Sequence, residues 1–160
     1  MPKKKSIVLL SPPTVTYRTP EENLGLEYLA AESMVNGYLV YYIDAFVYNI
    51  SVLEVIDNIF KINPDVLGIA PSMDSIKLSQ EIISGLREKG FRGKVVMGGV
   101  YASFEADKLF LTSLCSPDGI LTGEADLTFQ EFLEKGTFRG LAGAIYLEKG
   151  KIIQCVQNLR

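Results

Sequence analysis

Five short apolar segments recur along the chain, and a longer segment with helical periodicity separates each one from the next. The apolar segments begin near residues 7, 40, 66, 94 and 119. Parallel strands need a long crossover connection, usually a helix, so this alternation predicts βαβ units and a parallel sheet. We expect a three-layer, flavodoxin-like α/β fold with five parallel strands in the order 2-1-3-4-5.

The end of the chain differs from these repeats. Two β-prone segments, residues 144–147 and 151–153, flank Glu148-Lys149-Gly150. A glycine turn between two such segments predicts a β-hairpin. We therefore expect residues 1–160 to form a single domain with a hairpin extension at about 143–156.

Helical periodicity predicts which face of each helix is buried. In the first helix, apolar residues at steps of four, three and four form a stripe that is expected to face the core: Leu24, Tyr28, Ala31 and Val35. Ser51 followed by Glu54 predicts a capping box at the start of the second helix. The helix after the fourth strand is expected to begin near Ser103 and to bury Phe104.

Three unusual loops follow strands of the predicted sheet. Residues 11–14 are Ser-Pro-Pro-Thr, Ser72 follows the third strand, and Gly98-Gly99 follow the fourth. The carboxyl ends of parallel strands meet at one edge, where such folds bind ligands. A glycine pair lets another group approach the backbone, although a tight turn without a ligand would also use it. Together, the three loops predict a ligand site at this edge.

Histidine is absent from the 160 residues. This excludes His-based triads and His-ligated metals, and it removes the usual general base at neutral pH. Cys115 and Cys155 form no Cys-x-x-Cys pattern and cannot alone ligate an iron–sulfur cluster or a structural zinc. The net charge of -3 gives no overall attraction to nucleic acid. No apolar run approaches the ~18 residues that span a bilayer, so we expect a cytoplasmic protein that binds neither nucleic acid nor membrane.

Other ligand-binding proteins of this fold differ from the chain in their loops. A response-regulator receiver needs an acid pair after the first strand and a phosphoacceptor Asp after the third, where residues 11–12 and 71–72 are Ser-Pro and Pro-Ser. No Gly-x-Gly-x-x-Gly follows the first strand, so a dinucleotide has no Rossmann cradle. A flavodoxin phosphate loop stays open as an alternative, since residues 11–16 offer hydroxyls, although two prolines leave few N–H donors.

Seven segments occur in order along the chain: Leu10-Ser11-Pro12-Pro13, Gly25-Leu26-Glu27-Tyr28-Leu29-Ala30-Ala31, Tyr42-Ile43-Asp44-Ala45, Pro64-Asp65-Val66-Leu67-Gly68-Ile69, Val96-Met97-Gly98-Gly99-Val100-Tyr101-Ala102, Gly123-Glu124-Ala125-Asp126, and Gly143-Ala144-Ile145-Tyr146 with Gly150-Lys151. In their order and spacing, from Leu9 to Lys151, they resemble the cobalamin-binding domain that precedes the catalytic barrel in class B radical S-adenosylmethionine enzymes. The resemblance covers nearly the whole chain and implies cobalamin as the cofactor.

The resemblance also implies a role for each loop. Gly98 and Gly99 would line a channel for the nucleotide tail of cobalamin, and Ser72 would offer its hydroxyl to that tail. The loop at residues 11–17 would lie under the corrin. The implied cofactor-binding residues are Ser11, Pro12, Pro13, Thr14, Val15, Tyr17, Ser72, Met73, Gly98, Gly99, Val100, Tyr101, Gly123 and Glu124. Two of them have structural alternatives, because Ser72 could equally be a helix cap and Glu124 is better explained as a cap of the last helix.

The chain departs from the cobalamin domains of methionine synthase and the mutases, which carry Asp-x-His-x-x-Gly after the first strand. Because the chain contains no histidine, we expect base-off cobalamin without a histidine ligand, with Val15 and Tyr17 shielding its lower face. The Cys-x-x-x-Cys-x-x-Cys motif of the radical enzymes is also missing. We therefore expect that the chain holds no iron–sulfur cluster and is not catalytic alone.

The resemblance implies a partner for such a module. We expect a radical S-adenosylmethionine catalytic domain, in cis or in trans, belonging to a methyltransferase or a related enzyme. The chain would then be either an excised domain or a separate protein. The alternative is a cofactor-free interaction domain of the same family.

Overall fold

The computed structural model describes residues 5–16, 19, 21–110, 115–123 and 126–156, and its strands form one sheet. The strands are β1 Ser6–Ser11, β2 Leu39–Asp44, β3 Val66–Ile69, β4 Lys94–Gly98, β5 Gly119–Leu121, β6 Ala144–Glu148 and β7 Lys151–Gln154. They lie in the order β2-β1-β3-β4-β5-β6-β7, with β1 to β5 parallel and β6 and β7 antiparallel. The predicted strand order is confirmed, and the predicted hairpin continues the same sheet.

Strand β1 contributes to two hydrophobic cores, one on each face of the sheet. All six of its residues are buried. Val8 and Leu10 pack in the core on one face, whereas Ile7 and Leu9 pack in the core on the other. Successive side chains of a strand point to opposite faces, so a strand covered by helices on both sides is apolar throughout.

Helices cover both faces of the sheet: α1 Leu24–Val35, α2 Val52–Ile62, α3 Ile76–Glu88, α4 Val100–Phe104, α5 Ala106–Leu109 and α6 Asp126–Lys135. The predicted capping box at the start of α2 is confirmed, because the Glu54 N–H donates to Ser51 Oγ and the Ser51 N–H donates to the Glu54 carboxylate. The hydroxyl of Ser51, and then its backbone N–H, lower the pKa of the Glu54 carboxyl.

The buried face predicted for α1 is wrong. Leu24, Tyr28 and Val35 are 71%, 66% and 86% exposed, and Ala31 is exposed as well. The structure turns the opposite stripe of the helix towards the core: Leu26, Leu29, Ala30 and Ser33. Because α1 is apolar on both sides, periodicity alone does not determine which side is buried.

The helix after β4 begins earlier than predicted. Helix α4 starts at Val100, directly after Gly99, rather than near Ser103. This start places Ala102 in the core and leaves Phe104 82% exposed, so the predicted burial of Phe104 is wrong. The glycine turn therefore joins the strand to the helix with no intervening loop.

Gly119 in β5 packs so closely that we expect Gly119→Ala to destabilise the fold. A Cβ there would lie 2.5 Å from the ring of Phe138, which stacks on Phe132 with 4.5 Å between centroids. Overpacking of this kind typically costs ~1–3 kcal/mol. Urea unfolding should show the loss; an unchanged free energy of unfolding would mean that the ring moves freely. Gly98→Ala is the control, because a Cβ there meets only the Leu121 carbonyl oxygen, at 3.7 Å.

Candidate functional site

An apolar cleft opens at the carboxyl edge of the sheet, next to helices α1 and α6. Its volume is about 360 Å³, within the range of small-molecule sites. Its apolar walls come from strands and from both helices: Leu9, Leu26, Leu29, Ile69, Val96, Met97, Leu121 and Phe129. None of the described residues that line the cleft is charged, so the cleft suits an uncharged, largely apolar group.

Glycines form much of the rest of the cleft wall: Gly25, Gly68, Gly98, Gly99 and Gly123. They differ in what surrounds them. A Cβ at Gly68 would lie 2.8 Å from Leu9 Cδ2, so the buried Leu9 side chain occupies the space beside that glycine. Gly99 has φ +91°, a conformation that other residues rarely adopt, and a Cβ there would meet nothing within 4 Å. A Cβ at Gly98 would make one ordinary contact, so the fold leaves space at this strand end that another molecule can use.

A second cavity, here called the edge cavity, adjoins the cleft. It measures about 310 Å³ and shares Asn23 and Ala70 with the cleft. Its other walls come from the end of β1 and the loop after it, from the start of α1 and the segment before it, and from the loops after β2 and β3: Ser11, Pro12, Thr14, Glu21, Glu22, Leu24, Phe46, Ser72 and Ser75. The loops after β1 and β3 therefore meet at one site, as their position at the carboxyl edge predicts.

The predicted site residues divide between these two cavities and the surface around them. Ser11, Pro12, Thr14 and Ser72 line the edge cavity, and Gly98, Gly99 and Gly123 line the cleft. The remaining described ones line neither cavity: Pro13, Val15, Met73, Val100 and Tyr101. Of these, Val15, Met73 and Val100 are 65%, 67% and 75% exposed. Tyr17 and Glu124 lie outside the described residues.

The hydroxyl of Ser72 hydrogen-bonds that of Ser75 in the wall of the edge cavity. The two Oγ atoms are 3.2 Å apart, and the Ser72 N–H donates to Ser75 Oγ at 2.8 Å. Ser75, not Ser72, occupies the N-cap position of α3. Ser72 therefore does not cap the helix, and its hydroxyl lies in the wall of a cavity.

Asn23 connects the two cavities and is missing from the predicted site. It is the N-cap of α1, and its Oδ1 accepts from the Leu26 N–H at 3.1 Å. An Asn before an apolar periodic segment is a recognisable cap signal, but a cap signal does not identify a wall of a binding site.

The walls from α1 and α6 were also not predicted. Leu26, Leu29 and Phe129 look like ordinary core residues in the sequence, and their periodicity carries no sign of a cleft. Gly25 in the first turn of α1 and Gly68 inside β3 are better signals, because glycine is unfavourable in helices and strands unless something approaches closely.

Two further findings concern metal ligands and membrane-spanning helices. In the described part of the chain, no group of three or more His, Cys, Asp or Glu side chains is arranged to hold a metal ion. Among the described helices, none is long and apolar enough to cross a membrane.

The fold is a small α/β domain with two adjoining cavities at the carboxyl edge of its sheet. Residues 11–133 match the model of the B12-binding domain family, which is most of the chain. The chain therefore belongs to the B12-binding domain family. No protein of curated function matches its sequence.

Solved structures with the same fold include two cobalamin-dependent radical enzymes. One is OxsB, a cobalamin-dependent S-adenosylmethionine radical enzyme that was solved with aqua-cobalamin and S-adenosylmethionine bound. Its match has a TM-score of 0.83 at 18% sequence identity and covers 99% of this chain and 23% of the OxsB chain. The other is TsrM from Kitasatospora setae, a radical S-adenosylmethionine methyltransferase that was solved with cobalamin and a 4Fe–4S cluster bound. Its match has a TM-score of 0.77 at 16% sequence identity and covers 98% of this chain and 30% of the TsrM chain. The chain thus spans less than a third of either protein, and the likeness establishes the fold.

The cap at Asn23 holds the first turn of α1 beside both cavities, so we expect Asn23→Ala to destabilise the domain. Loss of an N-cap acceptor typically costs ~1 kcal/mol. Urea unfolding should show this decrease, whereas Asn23→Asp keeps the acceptor, places an anion at a helix N-terminus and should retain stability. Equal stabilities of the Ala variant and the parent would mean that the side-chain cap does not hold α1.

Proposed function

We propose that the chain is a cobalamin-binding module that presents the corrinoid to a radical S-adenosylmethionine catalytic domain. The observation that carries this proposal is the uncharged, glycine-lined cleft that opens beside the edge cavity. Cobalamin has a nucleotide tail below a broad corrin ring, so it needs a narrow channel beside a more open surface. Membership of the B12-binding domain family supports the same ligand.

The residues present fit this cofactor. The benzimidazole end of the tail would enter the cleft beside Gly98 and Gly99, where the backbone leaves open space. Leu26 and Phe129 would provide apolar contacts for it. Ser72, in the wall of the edge cavity, would offer its hydroxyl to the tail, and the loop at residues 11–17 would lie under the corrin.

We expect cobalamin to bind base-off, with no protein nitrogen on the lower face of the cobalt. The chain has no histidine, and Lys and Arg are charged at neutral pH and are poor ligands. Ligation by sulfur would need Met73, Met97 or Cys115 to reach the corrin, but Met97 is fully buried, and Met73 and Cys115 line neither cavity. The lower site would therefore be empty or hold water behind the loop at residues 11–17.

The chemistry would be completed by another domain. Bound cobalamin supplies a cobalt centre suited to methyl transfer, whereas this chain would bind and orient it. The two cysteines are too few for a cluster of the radical type, so a radical S-adenosylmethionine domain, in cis or in trans, would provide catalysis. TsrM and OxsB each combine the same fold with radical chemistry in a longer chain, which supports this partner.

We expect Gly98→Val to weaken cobalamin binding by about tenfold or more. The branched valine side chain would enter the proposed channel for the nucleotide tail. Overpacking of this kind typically costs ~1–3 kcal/mol, and a loss of ~1.4 kcal/mol in binding free energy lowers the affinity tenfold. Titration with hydroxocobalamin, followed by absorbance, measures this effect. Ala142→Val is the matched control, because Ala142 is exposed and lines neither cavity.

The same titration decides between two interpretations. If Gly98→Val unfolds in urea like the parent and binds hydroxocobalamin equally tightly, the tail lies elsewhere. If the parent chain does not bind hydroxocobalamin, the cofactor-free interaction domain replaces the cobalamin module as the better interpretation.

The base-off state has its own spectroscopic test. In the cob(II)alamin complex, electron paramagnetic resonance should show no superhyperfine splitting from an axial nitrogen, because the chain offers no imidazole and the cleft would hold the benzimidazole away from cobalt. Free cob(II)alamin at neutral pH, with its own base bound, is the control. Nitrogen splitting in the complex would contradict base-off binding, whether the nitrogen came from the protein or from the vitamin.

A further inference from the structure

Helix α1 has an apolar face that the domain does not cover. Leu24, Tyr28, Met34 and Val35 are 71%, 66%, 61% and 86% exposed. Scattered exposed apolar residues are normal, but these recur with helical periodicity along three turns of one helix. Because α1 is apolar on its solvent side as well as on its core side, and a large exposed apolar patch marks an interaction site, the solvent face of α1 has the composition of an interface.

Carboxylates flank this apolar face. Between Arg18 and Lys61 the sequence contains seven Asp and Glu residues and no Lys or Arg. Glu27 lies on one side of the line formed by Leu24, Tyr28 and Val35, between that line and Met34, and Glu32 lies on its other side, as their spacing along the helix requires. In the described part of the chain, neither has an ion-pair partner.

The side of the stripe nearest β2 leads into an acidic cavity of about 440 Å³. Three carboxylates line it, from Glu22, Glu27 and Asp44, together with the hydroxyl-bearing rings of Tyr42 and Tyr48. Asp44 is only 5% exposed and accepts hydrogen bonds from the Val47 N–H at 3.0 Å and the Tyr42 hydroxyl at 3.2 Å. Burial, and then the charge of Asp44, raise the pKa of Tyr42, so this hydroxyl stays a donor.

The apolar face begins at the ligand site. Leu24 lines the edge cavity, while its neighbours Asn23 and Gly25 line the cleft. A catalytic domain that uses the cofactor must cover the carboxyl edge of the sheet. Such a domain therefore contacts the first turn of α1. From there the exposed stripe extends its contact along the helix to Val35.

We propose that the solvent face of α1 and the acidic cavity beside it form the docking surface for the catalytic domain, which would present a Lys or Arg side chain to the cavity and an apolar patch to the helix. The proposal rests on the proposed function for the identity of the partner. Charge complementarity selects this occupant. A second copy of this chain would bring two acidic rims together, and an anionic membrane would be repelled by the same carboxylates.

Photo-crosslinking in cells of the source organism tests the proposal. The full chain carries benzoylphenylalanine in place of Tyr28, or, as the control, in place of Glu81, which is exposed on α3 on the opposite face of the sheet. We expect the benzoylphenylalanine at position 28 to crosslink to a Lys- or Arg-containing segment of a protein or domain that carries Cys-x-x-x-Cys-x-x-Cys. Glu22→Lys with Glu27→Lys should lower the yield by about tenfold or more, because like charges would then face each other. Glu27→Gln should lower it less.

Four outcomes overturn the docking surface: no crosslink, a crosslink to a second copy, a crosslink to a protein without the three-cysteine motif, or equal yields from positions 28 and 81. Hydroxocobalamin titration of Tyr28→Ser separates this failure from failure of the proposed function. Tyr28 lines neither the cleft nor the edge cavity, so the variant should bind cobalamin like the parent. Tight binding without the expected crosslink rejects only the docking surface, whereas absence of binding by the parent rejects the cobalamin module itself.

Discussion

Burial of a parallel sheet on both faces is the constraint on which the rest of this structure depends. Strand β1 packs Val8 and Leu10 into one core and Ile7 and Leu9 into the other, so helices must cover both faces. The chain leaves β1 towards α1 on one face and leaves β3 towards α3 on the other. Divergence of these two connections opens a crevice at the carboxyl edge, and both cavities lie there.

Glycine positions show how the same sheet supports both packing and an open site. Gly119 and Gly68 sit against Phe138 and Leu9, which fill the space that a side chain would need. Gly98 lies at the end of its strand and has no such neighbour. Glycine in a strand forgoes side-chain packing, and only the Leu121 carbonyl oxygen approaches the position of a Cβ at Gly98, so this strand end stays open.

The sequence predicted the strand order and the hairpin, and it predicted that the loops after β1, β3 and β4 share one edge of the sheet, because apolar strands joined by amphipathic helices admit few arrangements. It did not predict the orientation of α1, since Leu24 and Leu26 are equally suited to a core and only packing against the sheet selects between them. Asn23 was missed for a different reason. Its cap signal is local, and only the fold places that cap between two cavities. Phe104 was misplaced because α4 begins at once after Gly99 and packs Ala102, not Phe104, into the core.

The first turn of α1 links the ligand site to the proposed docking surface. Asn23 and Leu26 face the cleft, whereas Leu24 between them is 71% exposed. A cobalamin tail bound in the cleft and a partner bound on the solvent side of α1 would therefore order the same few residues. Ordering by the first ligand lowers the entropy lost on binding the second, and the coupling must be equal in both directions.

On the proposed assignment, cobalamin would strengthen docking of the catalytic domain and the docked domain would strengthen binding of cobalamin. The exposed apolar face of α1 is then a consequence of sharing one helix between two binding events: its inner side is fixed by the sheet, and its outer side has to stay available for the partner.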